Sequence, residues 1–193
     1  MTGLMIGSVF RGCKHATSYL FPDSITGGSY IGQYTFYGNS SLSSIDLPSS
    51  ITYIDRYCFD RCSGLTSITI PAKVDRIRDA AFKDCTSLSN VQYETNVLTM
   101  IESLAFSGDK SLKNLSVPNS VTNLGDYAFQ DCSSTYASSL VLPSSLTSIG
   151  IMTYCGCKGL RNITIPSSLA SADYMVFSNC PNLSGITDLR LTA

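Results

Sequence analysis

The sequence predicts a solenoid of about eight turns of ~23 residues, the first and last incomplete, with short parallel β-strands stacked along one face and short strand, turn or 3-10 segments opposite. Three observations carry that expectation. A lead residue recurs at Ala16, Leu42, Leu65, Leu88, Leu112, Ala137, Leu160 and Leu183, at intervals of 26, 23, 23, 24, 25, 23 and 23 residues. Phenylalanine returns in register with it, as at Phe10, Phe59, Phe82, Phe106 and Phe129. Cysteine fills the column three residues after the aromatic at Cys13, Cys62, Cys85, Cys132, Cys157 and Cys180, with Asn39 and Asp109 in the other two repeats.

Within one repeat, Ser67-Ile68-Thr69-Ile70-Pro71 alternates polar and β-branched apolar residues, the pattern of a strand with one buried face. Equivalent segments are Ser44-Ile45-Asp46-Leu47, Asn114-Leu115-Ser116-Val117, Ser139-Leu140-Val141-Leu142 and Asn162-Ile163-Thr164-Ile165, each closed by proline. Proline there removes no ladder hydrogen bond. Ser-Ser-Ile/Leu-Thr, as at Ser49 to Thr52 and Ser144 to Thr147, then returns an apolar residue to the core. The last quarter, Ile77 to Phe82 or Leu124 to Phe129, is too short for a full helix and predicts a helical turn or a second extended segment. No repeat stands alone. Each buries about six apolar groups worth about 1.5–3 kcal/mol apiece, against an ordering cost of roughly 1–2 kcal/mol per residue.

Composition narrows the function classes. The 193 residues are 44% hydrophobic and 14% charged, with a formal net charge of −1. That balance argues against a nucleic-acid stripe or a polybasic membrane patch. No apolar run approaches the roughly 18 residues of a membrane span. The start, Met1 to Phe10, lacks the charged head and long apolar core of a secretory signal. Residues 1–193 are read as one elongated body that begins inside a repeat: a piece of something longer, or a stack whose first face a partner covers end to end. A cysteine column that also accepts Asn and Asp reads as a turn residue bonding backbone, so free buried thiols are expected rather than disulfides.

The repeated pattern L-T-S-I-T-I-P-x-x-V-x-x-I-x-x-x-A-F-x-x-C, plainest over Leu65 to Ser87, Leu112 to Ser133 and Leu160 to Asn182, resembles the BspA-like, or Treponema-type, leucine-rich repeat. The resemblance covers essentially the whole chain. It implies a leucine-rich-repeat solenoid, curved, with a parallel sheet along one face. It also implies a surface-displayed or secreted protein with adhesion or protein-binding roles, of the kind found in bacteria, protist parasites and some viruses. It brings no shared catalytic residues. The chain departs from the pattern where Glu94 replaces the proline and Asp109 the cysteine, and where residues are inserted around Gly27-Gly28-Ser29 and Ser133 to Tyr136. Insertions in repeats map to surface loops. Asp188 takes a column that holds Ile70 and Ile165 elsewhere, so residues 183–193 are expected to blunt the sheet edge as a cap.

No assembled chemistry is visible, and no cofactor is expected. His15 is the only histidine and reads as a surface turn residue. Cys155 with Cys157, or Cys58 with Cys62, has zinc-like spacing, but all except Cys155 fall in repeat columns that explain them. The strand face shows Ser67, Thr69, Asn90, Gln92, Asn114 and Ser116, small neutral groups without an aromatic anchor. This reads as a solvated face, or at most a shallow glycan or peptide site. Tyr30 and Tyr53 share one column and Tyr34 and Tyr57 another, with Tyr37 nearby, on the side away from those strand segments. Tyrosine offers large contact area at low entropic cost, so these rings are the candidate binding patch; the plainer reading is ring-on-ring filler. Arg56, Arg61, Arg76 and Arg78 belong to a cluster of 11 of the 27 charged side chains, six positive and five negative. That cluster predicts a cross-paired solvated surface more than a partner patch. The expected function is non-enzymatic binding of a host or matrix protein, or a glycan. The alternative is a structural spacer or assembly element of a larger chain or particle.

Overall fold

The structure, a computed structural model, describes residues 8–21, 29–134, 136–172 and 175–192. Among the described residues twelve short strands follow one another: β1 (Ser29–Ile31), β2 (Ile51–Ile54), β3 (Ser67–Ile70), β4 (Arg76–Ile77), β5 (Asn90–Tyr93), β6 (Met100–Ile101), β7 (Asn123–Leu124), β8 (Ser139–Val141), β9 (Ser148–Ile149), β10 (Asn162–Ile165), β11 (Ser171–Ala172) and β12 (Gly185–Asp188). A 3-10 helix, Leu189–Thr192, follows β12. Every pairing is parallel and joins equivalent segments of successive turns, such as Ile68 with Val91 and Ile163 with Ile186. The polypeptide is thus a coil of leucine-rich-repeat type.

The sheets differ from the expectation in one respect. The continuous sheet runs β1-β2-β4-β6-β7-β9-β11, built from the second extended segment of each repeat. The segments read as principal strands form only a three-stranded sheet, β12-β10-β8, and the pair β3-β5. Ser44 to Leu47 and Asn114 to Val117 join no ladder, although Ile45 and Leu115 still point inward. At the second site the Ser116 amide donates to Asn114 Oδ1 at 2.9 Å, a local bond that takes the N–H away from a neighbouring strand. Asn114 and Ser116 therefore lie outside any strand face, whereas Ser67, Thr69, Asn90 and Gln92 sit on β3 and β5. The loop expected around Gly27-Gly28-Ser29 falls outside the described residues except for Ser29, which opens β1.

The aromatic column is the spine of the core. Phe10, Phe36, Phe59, Phe82, Phe106, Phe129, Tyr154 and Phe177 stack in sequence across seven turns. From Phe36 to Tyr154 the centroids are 5.1–5.2 Å apart and the planes within 11° of parallel. Each ring's own amide donates one turn on, as Phe82 to Ala105 O at 2.8 Å. Tyr154 is fully buried, and its hydroxyl has no hydrogen-bond partner. Burial pushes that phenol well above its ordinary range. Since an unpartnered buried hydroxyl costs about 1–3 kcal/mol, Tyr154→Phe is expected to stabilise the fold by about 1 kcal/mol or more. The denaturant midpoint checks this; a lowered midpoint would show that the hydroxyl is bonded.

All eight cysteines are free thiols. Those in the repeat column bond across turns: Cys62 donates to Phe36 O at 3.0 Å, Cys85 to Phe59 O at 3.1 Å, and Cys132 and Cys157 to Phe106 O and Phe129 O at 3.2 Å. The expected backbone-bonding role is present, though it links neighbouring turns rather than closing a local one. Two further columns are left-handed. Tyr34, Tyr57, Ala80, Leu104, Tyr127, Met152 and Met175 have φ between 52° and 60°, and so do Arg61, Asp84, Asp131 and Asn179, in the column where Gly38, Gly108 and Gly156 stand. At the far end, Asp188 pairs with Ile165 in register and is gripped by Arg190 at 2.6 and 2.8 Å.

Candidate functional site

The outward face of the seven-stranded sheet carries Tyr30, Tyr53, Arg76, Met100, Asn123 and Ser148, each the residue before an inward aliphatic, and Ser171 in the same column of the last strand. Sequence reading placed the tyrosines away from the strands. They instead decorate the longest sheet, because the second segment of each repeat is the one that pairs continuously. The face grades from aromatic and charged at one end to small and polar at the other.

At the aromatic end the rings form two parallel stacks. Tyr30 lies 4.4 Å from Tyr53 at 15°, and Tyr34 lies 4.9 Å from Tyr57 at 7°. Tyr37 meets Tyr34 edge-on at 5.7 Å. Left-handed backbone at Tyr34 and Tyr57 turns the second pair outward beside the first. All five are half-buried, which leaves part of each ring open. Burial, reinforced by the Tyr30 phenol beside it, pushes the Tyr53 hydroxyl up to about 12, so it stays neutral and able to donate.

Guanidinium groups cover the rings. Arg78 sits 4.6 Å over Tyr53, Arg11 lies 5.1 Å over Tyr34 and 4.9 Å over Tyr37, and Arg61 is 5.8 Å from Tyr37. Such cation–π contacts are worth about 0.5–1 kcal/mol at exposed sites. The arginines also pair across turns: Arg56 with Asp79 at 2.8 Å, Arg78 with Asp55 at 3.3 Å and Arg76 with Glu102 at 3.6 Å. Arg61 reaches Asp60 only at 4.0 Å. Exposed pairs of this kind add little stability, and they make the charged cluster a cross-paired surface around the rings. Sequence reading missed Arg11. It stands in the column of Tyr37 one turn earlier, and only side-chain direction shows the contact.

His15 is exposed on a turn, and among the described residues no group of three or more His, Cys, Asp or Glu is arranged to hold a metal. Cys155 accepts a hydrogen bond from Ser178 Oγ at 3.1 Å. No helix among the described residues is long and apolar enough to cross a membrane.

Comparison with known proteins agrees with this geometry. Residues 6–136 and 133–188 match the family described as BspA type leucine rich repeat region, in six copies. The crystal structure of a leucine-rich repeat protein from Treponema pallidum is 29% identical, with a TM-score of 0.75, covering 87% of this chain and 78% of that one. A leucine-rich repeat protein from Bacteroides ovatus is 26% identical, with a TM-score of 0.53, covering 94% of this chain and 57% of that one. No curated protein sequence matches the chain.

Proposed function

The chain belongs to the BspA-type leucine-rich repeat family, and from that membership we propose that it is a non-enzymatic binding module of a surface-displayed protein, recognising a host or matrix protein through its tyrosine–arginine face. Solenoids of this family serve generally as protein-binding scaffolds. The observation that carries the reading is the lattice of Tyr30, Tyr34, Tyr37, Tyr53 and Tyr57 with Arg11, Arg61 and Arg78 laid over it. Tyrosine and arginine are the residues that dominate protein–protein hot spots, and these are pre-ordered by their own stacking, which lowers the entropy lost on docking.

The test is a panel of immobilised matrix proteins probed with the wild-type chain and two double variants. Tyr34→Ser with Tyr57→Ser is expected to weaken binding more than tenfold, about 2 kcal/mol. Asn90→Ala with Gln92→Ala, on the other face, is expected to leave it unchanged. Binding to nothing in the panel, or loss only in the second variant, would refute this assignment. An assembly role is favoured by a separate observation: Val9 and Leu20 at one end are 63% and 94% exposed, and Ile186 and Leu191 at the other 62% and 83%. Ile186 fills the column of Ile163, which the next turn buries to 2%. Light scattering that rises with concentration supports that second reading; a constant monomer mass removes it.

A further inference from the structure

Two residues inserted between Cys132 and Ala137 break the three-residue step that every other repeat keeps. The insertion carries Tyr136, 76% exposed, and sets its ring 5.6 Å from Lys113 Nζ. Together with Lys110 the pair lines a cleft of ≈ 430 Å³ whose other groups are serine hydroxyls, among them Ser87, Ser89 and Ser134. No carboxylate lines it. Neither lysine has an ion-pair partner among the described residues.

The cleft does not stand alone. Between Asp109 and Asp188 the sequence has four cations, Lys110, Lys113, Lys158 and Arg161. Lys158 repeats the column of Lys110, and Arg161 that of Lys113, each two turns later. All four are exposed. They form two cation pairs about 10 Å apart, at about 4.8 Å per turn, with the inserted Tyr136 loop between them. Asp131, exposed in the intervening turn two residues before the cation column, lies against Gly156 and outside the cleft, while Asp126 accepts from the Ile151 amide at 2.9 Å.

We propose that this cleft and the two cation pairs bind an acidic polysaccharide, a sugar polymer carrying carboxylate or sulfate groups at regular intervals. The chemistry matches part by part. An exposed ring flanked by hydroxyls suits the face and edge of a sugar, whose oxygens give and take hydrogen bonds with serine. The lysines are compact, mobile cations that meet an anion as point charges. Two cation pairs separated by two turns suit a chain with an acid on every second sugar. Among the described residues the cleft presents no carboxylate to a dense polyanion, unlike the Asp-interleaved arginines of the tyrosine face, and Asp131 is the negative group the polymer passes in the intervening turn. This site is separate from that face and stands or falls independently of it.

The experiment measures binding of the full chain to hyaluronan, chondroitin sulfate, neutral dextran, polyglutamate and a DNA oligonucleotide at low and physiological salt. Binding to one or both acidic glycans, weakening as salt screens the charges, and none to dextran, is expected. Lys110→Glu with Lys113→Glu should reduce it about tenfold or more, Tyr136→Ser by several-fold, and Tyr34→Ser with Tyr57→Ser not at all. Lys110, Lys113 and Tyr136 are exposed, so their variants should melt as the wild type does, and circular dichroism checks the fold of every variant. The proposal is overturned if the lysine variant binds acidic glycan as the wild type does. It is equally overturned if neither glycan binds, or if polyglutamate or DNA binds as tightly as the glycans, since charge alone would then explain the retention.

Discussion

Replacing Phe82 with alanine is expected to lower stability by about 3–5 kcal/mol, a loss its equivalents Phe59 and Phe106 should share. Phe82 is fully buried and lies between Phe59 at 5.1 Å and Phe106 at 5.2 Å, both almost parallel to it. Its removal deletes two ring contacts, each worth about 0.5–1.5 kcal/mol beyond area, and opens a ring-sized void. The void cannot close easily, because the flanking turns are held at fixed spacing by hydrogen bonds such as Phe59 N to Ala81 O at 2.7 Å. A repeat touches only its neighbours, so the damage should also uncouple the two halves. Equilibrium denaturation should then show two transitions with a reduced slope. Phe177→Ala, at a half-buried position with one stacking partner, should cost far less. Equal costs at the two positions would mean that the column does not act as a continuous spine.

Asp109→Cys should do the opposite and stabilise the protein at neutral pH. Asp109 stands in the cysteine column, fully buried, with neither carboxylate oxygen hydrogen-bonded. The nearby Cys85 amide is already given to Phe82 O at 3.2 Å. Burial first, then the charges of Asp84 and Asp60, push this carboxyl well above its usual range. Unfolded, the group ionises near pH 3.9; folded, it holds its proton. As pH rises above about 4 the unfolded state gains from ionising while the native state does not, so the group subtracts further stability at pH 7 that it does not subtract in acid. A thiol here could donate across the turn as Cys85 and Cys132 do. The expected gain at pH 7 is about 2 kcal/mol or more, or about 4–8 °C in Tm, shrinking near pH 4 to the pH-independent part from the thiol hydrogen bond and the unpartnered carboxyl. Asp60, pushed up to about 6 by burial against the opposing pull of Lys83 and Arg61, should leave a smaller decline between about pH 4 and 6 in both proteins. A variant that gains nothing at pH 7, or equally at pH 4 and 7, would show that Asp109 is ionised in the fold.

The coil itself was legible because its information is redundant. Phe59, Phe82, Phe106 and Phe129 repeat the same inward position, and a shift of one residue would expose all of them. Which segment forms the long sheet was not legible. Strands such as Arg76–Ile77 and Asn123–Leu124 have two residues, too few for alternation to be seen. Conversely Asn114 to Val117 alternates well and forms no strand, because one side-chain oxygen captures the Ser116 amide. The tyrosine rows followed from columns alone. Arg11 over Tyr34 and Lys113 beside Tyr136 did not, the first because it depends on side-chain direction and the second because an insertion displaces Tyr136 from any column.

The cross-turn thiol ladder has a practical corollary. Cys62, Cys85, Cys132 and Cys157 are sealed in the interior with their S–H bonds occupied and their acidity suppressed by burial. Cys58 and Cys155 are buried too, and Cys180 is half-covered with its thiol pushed up. Cys13 alone is exposed. In the folded protein a maleimide dye or tether should therefore attach at one defined point, beside the turn that carries Arg11, without any cysteine being engineered away.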